Sequence, residues 1–432
     1  MSGTFRAFQH HNYRVWASGA VVSNIGTWMQ RTAQDWIVLV QLTPHNATAV
    51  GFVMALQFGP QLLLLPVTGY VADHFDRRKV LYATQGGMGL LALGLGLLTV
   101  SGWVQLWHVY VFAFLQGCVA AFDAPARQTF VAELVHEEHL SNAVALNSTS
   151  FNAARMLGPA VAGLLIAAVG TGWVFLINAA SFAAVLASLT LMRAGDLQRK
   201  DRAKGRGNLG EGFRYIMGRP DLKAGLTMLF LVGTFGLNFP IFISTMAVNV
   251  FHKGASQFGL LTSFMAVGSV IGALLAARRA RPRMSLLMIG SAFFGLGLTA
   301  AAAMPNYWLF AVALTVVGVS AQTFTTSANG LMQMSTEPAL RGRVMAIFMA
   351  VALGTTPVGA PIVGWVADRF GPRWGVAVGA GAGILSALAG LYYLIKHCQL
   401  RLVFENGRPR IHLNEALPVS AEETLAKRRT AA

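Results

Sequence analysis

Cysteine and acidic residues are scarce in this chain, and each scarcity excludes a class of protein. Its 432 residues include two cysteines, Cys118 and Cys398, so neither a disulfide framework nor a cysteine-based metal site is expected. Only 12% of the residues are charged, and 17 are Asp or Glu. Hydrophobic residues make up 55%, and the mean hydropathy is +0.55. This composition excludes a soluble globular domain and indicates an all-α polytopic membrane protein.

Apolar stretches dominate what is present. Twelve of them are long enough, at about twenty residues, to cross the hydrocarbon core of a bilayer. They lie at about 14–40, 48–72, 79–100, 105–127, 143–169, 173–193, 223–250, 257–277, 284–304, 307–330, 342–366 and 374–395. The sequence therefore predicts twelve transmembrane helices.

One long polar break, 194–222, divides these stretches six and six. We expect an N-terminal six-helix bundle at 1–193, a cytoplasmic linker at 194–222, a C-terminal six-helix bundle at 223–396 and a cytoplasmic tail at 397–432. Within the linker, 209–217 has the apolar spacing of an amphipathic helix that would lie on the anionic inner leaflet. A flexible solvated linker explains the same residues equally well.

The net charge of +16 takes its meaning from where the cations lie. With the N-terminus in the cytoplasm, 28 of the 33 Lys and Arg residues fall on the cytoplasmic side. Lys253, Arg369 and Arg373 fall on the opposite side, and Arg31 and Arg155 lie within the membrane. The positive-inside rule therefore places both termini in the cytoplasm and favours a multi-pass protein of the cytoplasmic membrane over a nucleic-acid partner.

The first span carries an arginine and an aspartate. At 100° per residue, one stripe of this helix holds Asn24, Trp28, Arg31 and Asp35. The opposite side, which we expect to face lipid, holds Val22, Met29, Ala33, Trp36 and Val40. Because a charge at the centre of a spanning helix costs roughly 2.5 to 3.5 kcal/mol, the charged stripe should face protein or a water-filled cavity. Alternatively, Arg31 and Asp35 merely neutralise each other so that the helix can insert.

The segment GYVADHFDRRKV, 69–80, follows the second span. It resembles the loop between helices two and three of the major facilitator superfamily, with Asp76 in place of the usual glycine. The matching residues, which the resemblance makes a cytoplasmic gating loop, are Gly69, Asp73, Arg77, Arg78 and Lys79. Gly69 would allow close helix contact and Asp73 could meet a helix N-terminus. An ordinary basic stop after a membrane span is the alternative.

The resemblance extends from about Phe8 to Lys396. SNIGTWMQRTAQDW, PARQTFVAELV and RMLGPAVAG look like the branch that contains enterobactin exporters and macrolide-type drug efflux pumps. Membership implies two six-helix bundles around a central cavity, and export of a drug or siderophore-like molecule in exchange for protons. It also implies a helix-bending role for Gly158, Pro159 and Gly163, with Ala162 in place of one glycine. A packing role for these residues is the alternative.

Proton coupling needs a membrane-embedded group that changes charge, and Asp35 is the one acidic residue in a predicted spanning core. We therefore assign Asp35 as the proton-carrying group. Related antiporters place an arginine in helix four where this chain has Ala113, so Arg31 or Arg155 is the available substitute. Asp123 and Arg127, one turn apart at the inner end of the fourth span, are expected to form an ion pair that steadies the inner gate.

Polar and aromatic residues of the spans are expected to line the cavity. They are Asn24, Trp28, Gln57, Gln61, Gln116, Asn152, Phe235, Asn238, Gln322 and Asn329. A second segment, GWVADRFGPR at 364–373, imitates the gating loop. Topology places it outside, and we expect a tight external turn that Asp368 caps.

Other functions leave specific marks that this sequence lacks. The spans lack the His pair or Asp-rich cluster that would indicate a catalytic or metal site. The sequence also lacks the phosphate-binding glycine loop that would indicate direct use of ATP. No cofactor is expected, and the tail is too short for the signalling domain of a receptor. The expected partners are a small-molecule substrate, protons and the lipid bilayer, with a monomer as the functional unit. Uptake or uniport of a metabolite remains the alternative to export.

Overall fold

The computed structural model describes residues 3–198, 209–277, 283–398, 401–405 and 408–412. Helices account for nearly all of this chain. They are α1 (His11–Trp36), α2 (Ala47–Leu63), α3 (Leu65–His74), α4 (Arg77–Val100), α5 (Leu106–Phe130), α6 (Leu140–Val169), α7 (Thr171–Leu191), α8 (Leu209–Gly218), α9 (Pro220–Leu231), α10 (Phe239–Thr245), α11 (Ala255–Ala277), α12 (Met284–Ala303), α13 (Tyr307–Met334), α14 (Arg341–Gly354), α15 (Thr356–Phe370) and α16 (Pro372–His397). The all-α polytopic fold class is confirmed.

Ten helical segments among the described residues are long and apolar enough to cross a membrane, and Ala47–Leu63 is a shorter apolar helix. Adding α1, which has the length but carries the charged stripe, gives the twelve predicted spans. The second and eleventh spans are each built from two helices, which break at Leu64 and Thr355. The seventh changes to a π-helix at Val232–Gly236 before α10 begins. Proline near these breaks removes a backbone donor and so favours an interruption.

The environment of α1 differs from the expectation of one wet side and one lipid side. Met29, Ala33 and Trp36, assigned to lipid, are only 4%, 0% and 6% exposed. The reason is that α1 packs against both α6 and α7 and continues as a π-helix at Ile37–Leu42. Val22, in the first half of α1, was also assigned to lipid, and it is 49% exposed.

The linker helix α8 is present, so the fully flexible alternative is wrong for 209–218. Its Glu211 accepts a hydrogen bond from Arg343 on α14 at 2.7 Å. Gly212 lies so close that an added Cβ would be 2.8 Å from Arg343 Cβ. Contact with the inner leaflet stays a prediction. The rest of the basic linker, 199–208, and the basic loop at 278–282 lie outside the described residues.

Two compact units make up the chain. The first comprises Met1–Lys204, Pro240–Ser263 and Ala360–Pro372, and the second comprises Gly205–Phe239, Phe264–Gly359 and Arg373–Ala432. The first unit therefore includes short pieces of three later spans. The predicted domain boundaries stay a prediction.

A buried cluster in the first unit gathers side chains from α1, α4, α5 and α7. Trp16 and Phe130 stack edge to face with ring centroids 5.4 Å apart. Leu81 and Leu189, from two neighbouring helices, complete this core and are fully buried. Tyr13 donates a hydrogen bond to the carbonyl oxygen of Ala143 at 3.0 Å. This cluster fixes one end of α1 and so sets the direction in which its charged stripe points.

After α16 the chain forms a short antiparallel hairpin, which the sequence reasoning missed. Strand β1 (Arg401–Glu405) pairs with β2 (Arg408–His412), so that Arg401 lies opposite His412. The pairing gives part of the predicted polar tail a regular structure.

Candidate functional site

The charged stripe of α1 faces protein within the first unit. Asn24 and Asp35 are each only 6% exposed. Trp28 packs edge to face on Phe151 of α6 with centroids 5.9 Å apart. The expectation that this stripe is sheltered by neighbouring helices therefore agrees with where the side chains lie.

Arg31 lies between two aromatic rings. Its guanidinium carbon is 4.9 Å from the ring centroid of Trp28 and 5.4 Å from that of Phe58 on α2. A guanidinium over aromatic faces is attracted by the ring quadrupoles, by about 2 kcal/mol or more when water is excluded. Within the described part of the chain, no direct ion pair joins Arg31 to Asp35, and their mutual neutralisation stays an alternative.

A small cavity with several polar side chains in its lining adjoins Arg31. It has a volume of about 30 Å³, close to the volume of one water molecule. Its lining comes from α1, α2, α4 and α5: Thr27, Arg31, Gln57, Gln61, Met88, Gln116, Gly117 and Ala120. Three glutamines named from the sequence, on two different helices, are thus brought together with Arg31.

Buried amides connect α1 to its neighbours. Gln30 donates to Gln116 Oε1 at 2.9 Å and accepts from Asn178 on α7 at 2.5 Å. Gln57 donates to Gln34 Oε1 at 3.0 Å. Gln34 Nε2 is buried without a hydrogen-bond partner among the described residues. Sequence reasoning missed Gln30, Gln34 and Asn178, although an amide in a spanning segment is itself a signal of a buried partner.

Asp123 and Arg127 form the expected pair on α5. Arg127 Nε and Nη2 each lie 3.1 Å from Asp123 Oδ2. The other oxygen of Asp123 accepts from Thr84 at 2.8 Å and Gln85 at 2.6 Å on α4. Arg127 Nη1 donates to Asn24 Oδ1 at 2.8 Å. The pair therefore ties three helices of the first unit together, and its role in an inner gate stays a prediction.

The segment 69–79 holds neighbouring elements in place. Asp76, which stands where the family has glycine, caps α4 by accepting from the backbone N–H groups of Arg78 and Lys79. Arg77 pairs with Glu133, and Arg78 donates to the carbonyl oxygen of Leu189 at the end of α7.

An added Cβ at Gly69 would meet no atom within 4 Å, so close helix contact does not explain that glycine. The side chain of Asp73 lies outside the described residues, so its expected meeting with a helix N-terminus stays a prediction.

Residues of α6 divide between an exposed and a packed side. Asn152 and Arg155 are exposed. Gly158 packs on α1, since an added Cβ would lie 2.4 Å from Trp28 Cβ. Gly163 lies against α11, where a Cβ would be 2.6 Å from the carbonyl oxygen of Ala255. Pro159 sits inside one uninterrupted helix, so these contacts support the packing alternative. Helix bending stays a prediction.

Three of the predicted cavity residues of the second unit form hydrogen bonds within their own spans. Asn238 is 0% exposed and donates to the carbonyl oxygen of Thr234 at 2.8 Å. Phe235 is partly buried beside it. On α13, Gln322 donates to Thr326 at 3.1 Å and Asn329 accepts from Gln333 at 2.9 Å. Their cavity-lining role stays a prediction.

Residues 2–428 match the transmembrane secretion effector family. The chain belongs to this family of the major facilitator superfamily. It is 26% identical over 384 residues to the enterobactin exporter EntS of Escherichia coli, covering 88% of this chain and 90% of that protein.

Solved transporters share the fold of this family member at low identity. The nucleoside transporter NupG matches with a TM-score of 0.71 and 12% identity, over 88% of this chain and 98% of that one. The D-xylose-proton symporter matches with a TM-score of 0.69 and 14% identity, over 88% and 97%. These likenesses show the fold alone. As a member of the secretion effector family, the protein is a multi-pass membrane transporter and not an enzyme.

Proposed function

We propose that the protein exports an amphipathic small molecule, a drug or a siderophore-like product, across the cytoplasmic membrane in exchange for protons. The observation that carries the proposal is the sheltered stripe of α1, where Arg31 lies between two aromatic rings at the edge of a small cavity lined in part by glutamines. The 26% identity to an enterobactin exporter supports the outward direction. Two six-helix bundles, 1–193 and 223–396, would expose the substrate to each side in turn while both termini stay cytoplasmic.

The chemistry around Arg31 suits a solute with aromatic rings and polar or anionic groups. The guanidinium presents fixed hydrogen-bond donors that match carboxylates and similar oxygens. Trp28 and Phe58 offer apolar faces beside it. Gln57, Gln61 and Gln116 add amides that can donate or accept. A ligand that stacks on the rings would compete with the guanidinium for their faces, and this couples substrate binding to the state of Arg31.

Asp35 is the group we propose to carry the proton. The two buried acids differ in their surroundings. Asp123 is engaged by Arg127, Thr84 and Gln85, so protonation would break several hydrogen bonds. Among the described residues, Asp35 accepts no hydrogen bond and forms no ion pair, and it is 6% exposed. A buried carboxylate without such partners gains most from binding a proton. Arg31 or Arg155 would respond to the change in charge.

The test is Asp35→Asn in everted vesicles. We expect proton-driven export to be lost while expression and thermal stability are kept, because the amide cannot exchange a proton. Asp196→Asn, at an exposed acid, is the matched control and should transport normally. Full proton-driven export by Asp35→Asn would sink the assignment. Substrate exchange without a proton gradient should survive in the variant.

Uptake or uniport of a metabolite is the alternative, since the D-xylose-proton symporter shares the fold. The sign of the pH change that substrate causes in everted vesicles separates the cases. When substrate is added outside everted vesicles, export in exchange for protons predicts alkalinisation of the lumen. A symporter that works out of the lumen would alkalinise the lumen only if substrate were loaded inside, and uniport gives no change of pH.

We propose a monomer as the transporting unit, to be checked by single-molecule counting in nanodiscs.

A further inference from the structure

A second copy of the gating-loop pattern follows the eleventh span. GYVADHFDRR at 69–78 and GWVADRFGPR at 364–373 share glycine, aspartate and arginine at corresponding positions. The three pairs are Gly69 and Gly364, Asp73 and Asp368, and Arg78 and Arg373. By topology the second copy lies at the opposite membrane surface, where a cytoplasmic gate has no place.

The paired arginines do the same thing in their separate units. Arg78 Nη2 donates to the carbonyl oxygen of Leu189, in the last turn of α7, at 2.5 Å. Arg373 donates to the carbonyl oxygens of Ala302 and Met304, at the end of α12, at 2.7 and 3.0 Å. Both cations thus bind the free carbonyl groups and the negative end of a neighbouring helix. The likeness of the two segments therefore extends from the sequence to the contacts of their arginines.

The sequence predicts that Asp368 caps its own turn, and this prediction is wrong. Asp368 binds the start of α2 instead. Its Oδ1 accepts from Ala47 N at 2.7 Å, and its Oδ2 accepts from Thr48 N at 2.8 Å and from Thr48 Oγ1 at 2.5 Å. Asp368 lies inside α15, 320 residues after Thr48. Helix N-termini present unpaired N–H groups and positive potential, so a carboxylate there makes short, charge-assisted hydrogen bonds.

Below this contact α2 and α15 are packed backbone to backbone. An added Cβ at Gly364 would lie 2.5 Å from the carbonyl oxygen of Ala47, and one at Gly51 would lie 2.6 Å from that of Ala360. The two helices therefore close on each other over about two turns, with the carboxylate at the outer end. Separating them requires the hydrogen bonds of Asp368 to break.

A related crossing in the same unit lacks the carboxylate. There α6 meets α11, and Gly163 lies against the carbonyl oxygen of Ala255 much as Gly364 lies against that of Ala47. Asp368 comes four residues after Gly364, whereas Ala167 comes four residues after Gly163. Both crossings thus have the glycine contacts, but only the crossing of α2 and α15 has a carboxylate at the position four residues after the glycine.

We propose that Asp368 is the latch of an outer gate: it fastens α15 to the N-terminus of α2 while the transporter is closed to the outside, and it must release before the outside can be reached. The proposal rests on the proposed alternating-access function and on the cytoplasmic placement of both termini. An open pocket of about 520 Å³, lined in part by Asp368, His45 and His252, leaves the carboxylate accessible to solvent. Water can therefore replace the protein hydrogen bonds as the helices part.

The test is cysteine labelling from the outside. Cys118 and Cys398 are first replaced by alanine, and Ala360→Cys is introduced on α15, where the native residue is 0% exposed. A membrane-impermeant maleimide is then applied to right-side-out vesicles of the full-length protein. Asp368→Ala should raise the labelling rate roughly tenfold, which corresponds to about 1.4 kcal/mol. Thr48→Val, which removes one of three hydrogen bonds, should raise it less.

The controls separate a latch from a general loosening. Arg369→Gln, at the neighbouring exposed residue, should leave labelling as in the parent. Val50→Cys, fully buried on α2, is a second reporter in case Ala360→Cys does not fold. Unchanged labelling of both reporters in Asp368→Ala would overturn the proposal, as would an equal rise in Arg369→Gln. Labelling needs neither substrate nor a proton gradient, so a failure of Asp35→Asn to block proton-driven export would count against the proposed function and leave this result standing.

Discussion

Arg127 on α5 and Asn24 on α1 are joined by a hydrogen bond of 2.8 Å between Nη1 and Oδ1. The same guanidinium pairs with Asp123, whose other oxygen accepts from two side chains of α4. One arginine therefore connects the charged helix to two neighbours. Because its side chain is 15% exposed and that of Asp123 is 9% exposed, removing one partner of this pair should destabilise the protein far more than breaking a surface pair.

Removing the carboxylate tests that contribution. Asp123→Ala leaves Arg127 buried with one fewer partner, and breaking a buried pair in this way costs roughly 3 to 5 kcal/mol. We expect a clearly lower melting temperature in detergent. The matched control is Glu211→Ala, whose pair with Arg343 is 54% exposed on the carboxylate side and should cost less than about 1 kcal/mol. Equal melting temperatures for the two variants would contradict the network.

Gly158 tests whether α6 is held by packing on α1. An added methyl group would lie 2.4 Å from Trp28 Cβ, so Gly158→Ala should force the helices apart and destabilise the protein by about 1 to 3 kcal/mol. Gly86→Ala is the matched control, because a Cβ there meets nothing within 4 Å and alanine favours a helix by about 1 kcal/mol. Thermal unfolding should move in opposite directions for the two variants. A stabilised Gly158→Ala would refute tight packing.

A histidine cluster outside the membrane predicts a pH dependence. His10 Nε2 and His139 Nδ1 are 2.9 Å apart, and the ring of His136 lies 5.0 Å from that of His10. Burial lowers the pKa of His10 below its ordinary value of 6.5, and His136 and His139 lower it further, against an opposing effect from Glu138. The unfolded chain therefore takes up the proton first, so this stabilisation is complete above pH 6.5 and declines as pH falls through the lowered pKa.

The measurement is the melting temperature as a function of pH, between about pH 5 and 8. His10→Gln should flatten the decline below pH 6.5. His74→Gln, at an exposed histidine away from the cluster, should retain the decline of the parent. An unchanged pH profile in His10→Gln would show that His10 is not its source.

Much of the fold follows from local properties of the sequence. Length and apolarity place the twelve spans, and the polar break at 194–222 separates the first six from the rest. The pair of Asp123 and Arg127 can also be predicted from the sequence, because residues one helical turn apart are neighbours in any helix. Family resemblance adds what local rules do not contain, namely the gating role proposed for 69–79 and the class of transporter.

The side of α1 that contains Met29 and Ala33 was assigned wrongly to lipid. An apolar residue in a membrane helix has no preference that separates lipid from the apolar surface of a neighbouring helix, so periodicity alone does not decide which one it faces. The amides of Gln30 and Gln34 escaped notice for a similar reason. Their partners are fixed by which helices pack beside α1, and no spacing within one helix reveals that choice.

Sequence alone predicts twelve spans, a bias of Lys and Arg towards one side of the membrane and a cationic stripe in the first helix. The contacts of those groups come from the packing of helices: Arg31 lies between Trp28 and Phe58, and Asp368 binds the start of a helix 320 residues away. The two kinds of effect act over different distances along the chain. Apolarity and helical periodicity act within about twenty residues, whereas a carboxylate binds whichever unpaired N–H groups the packing of distant helices brings to it.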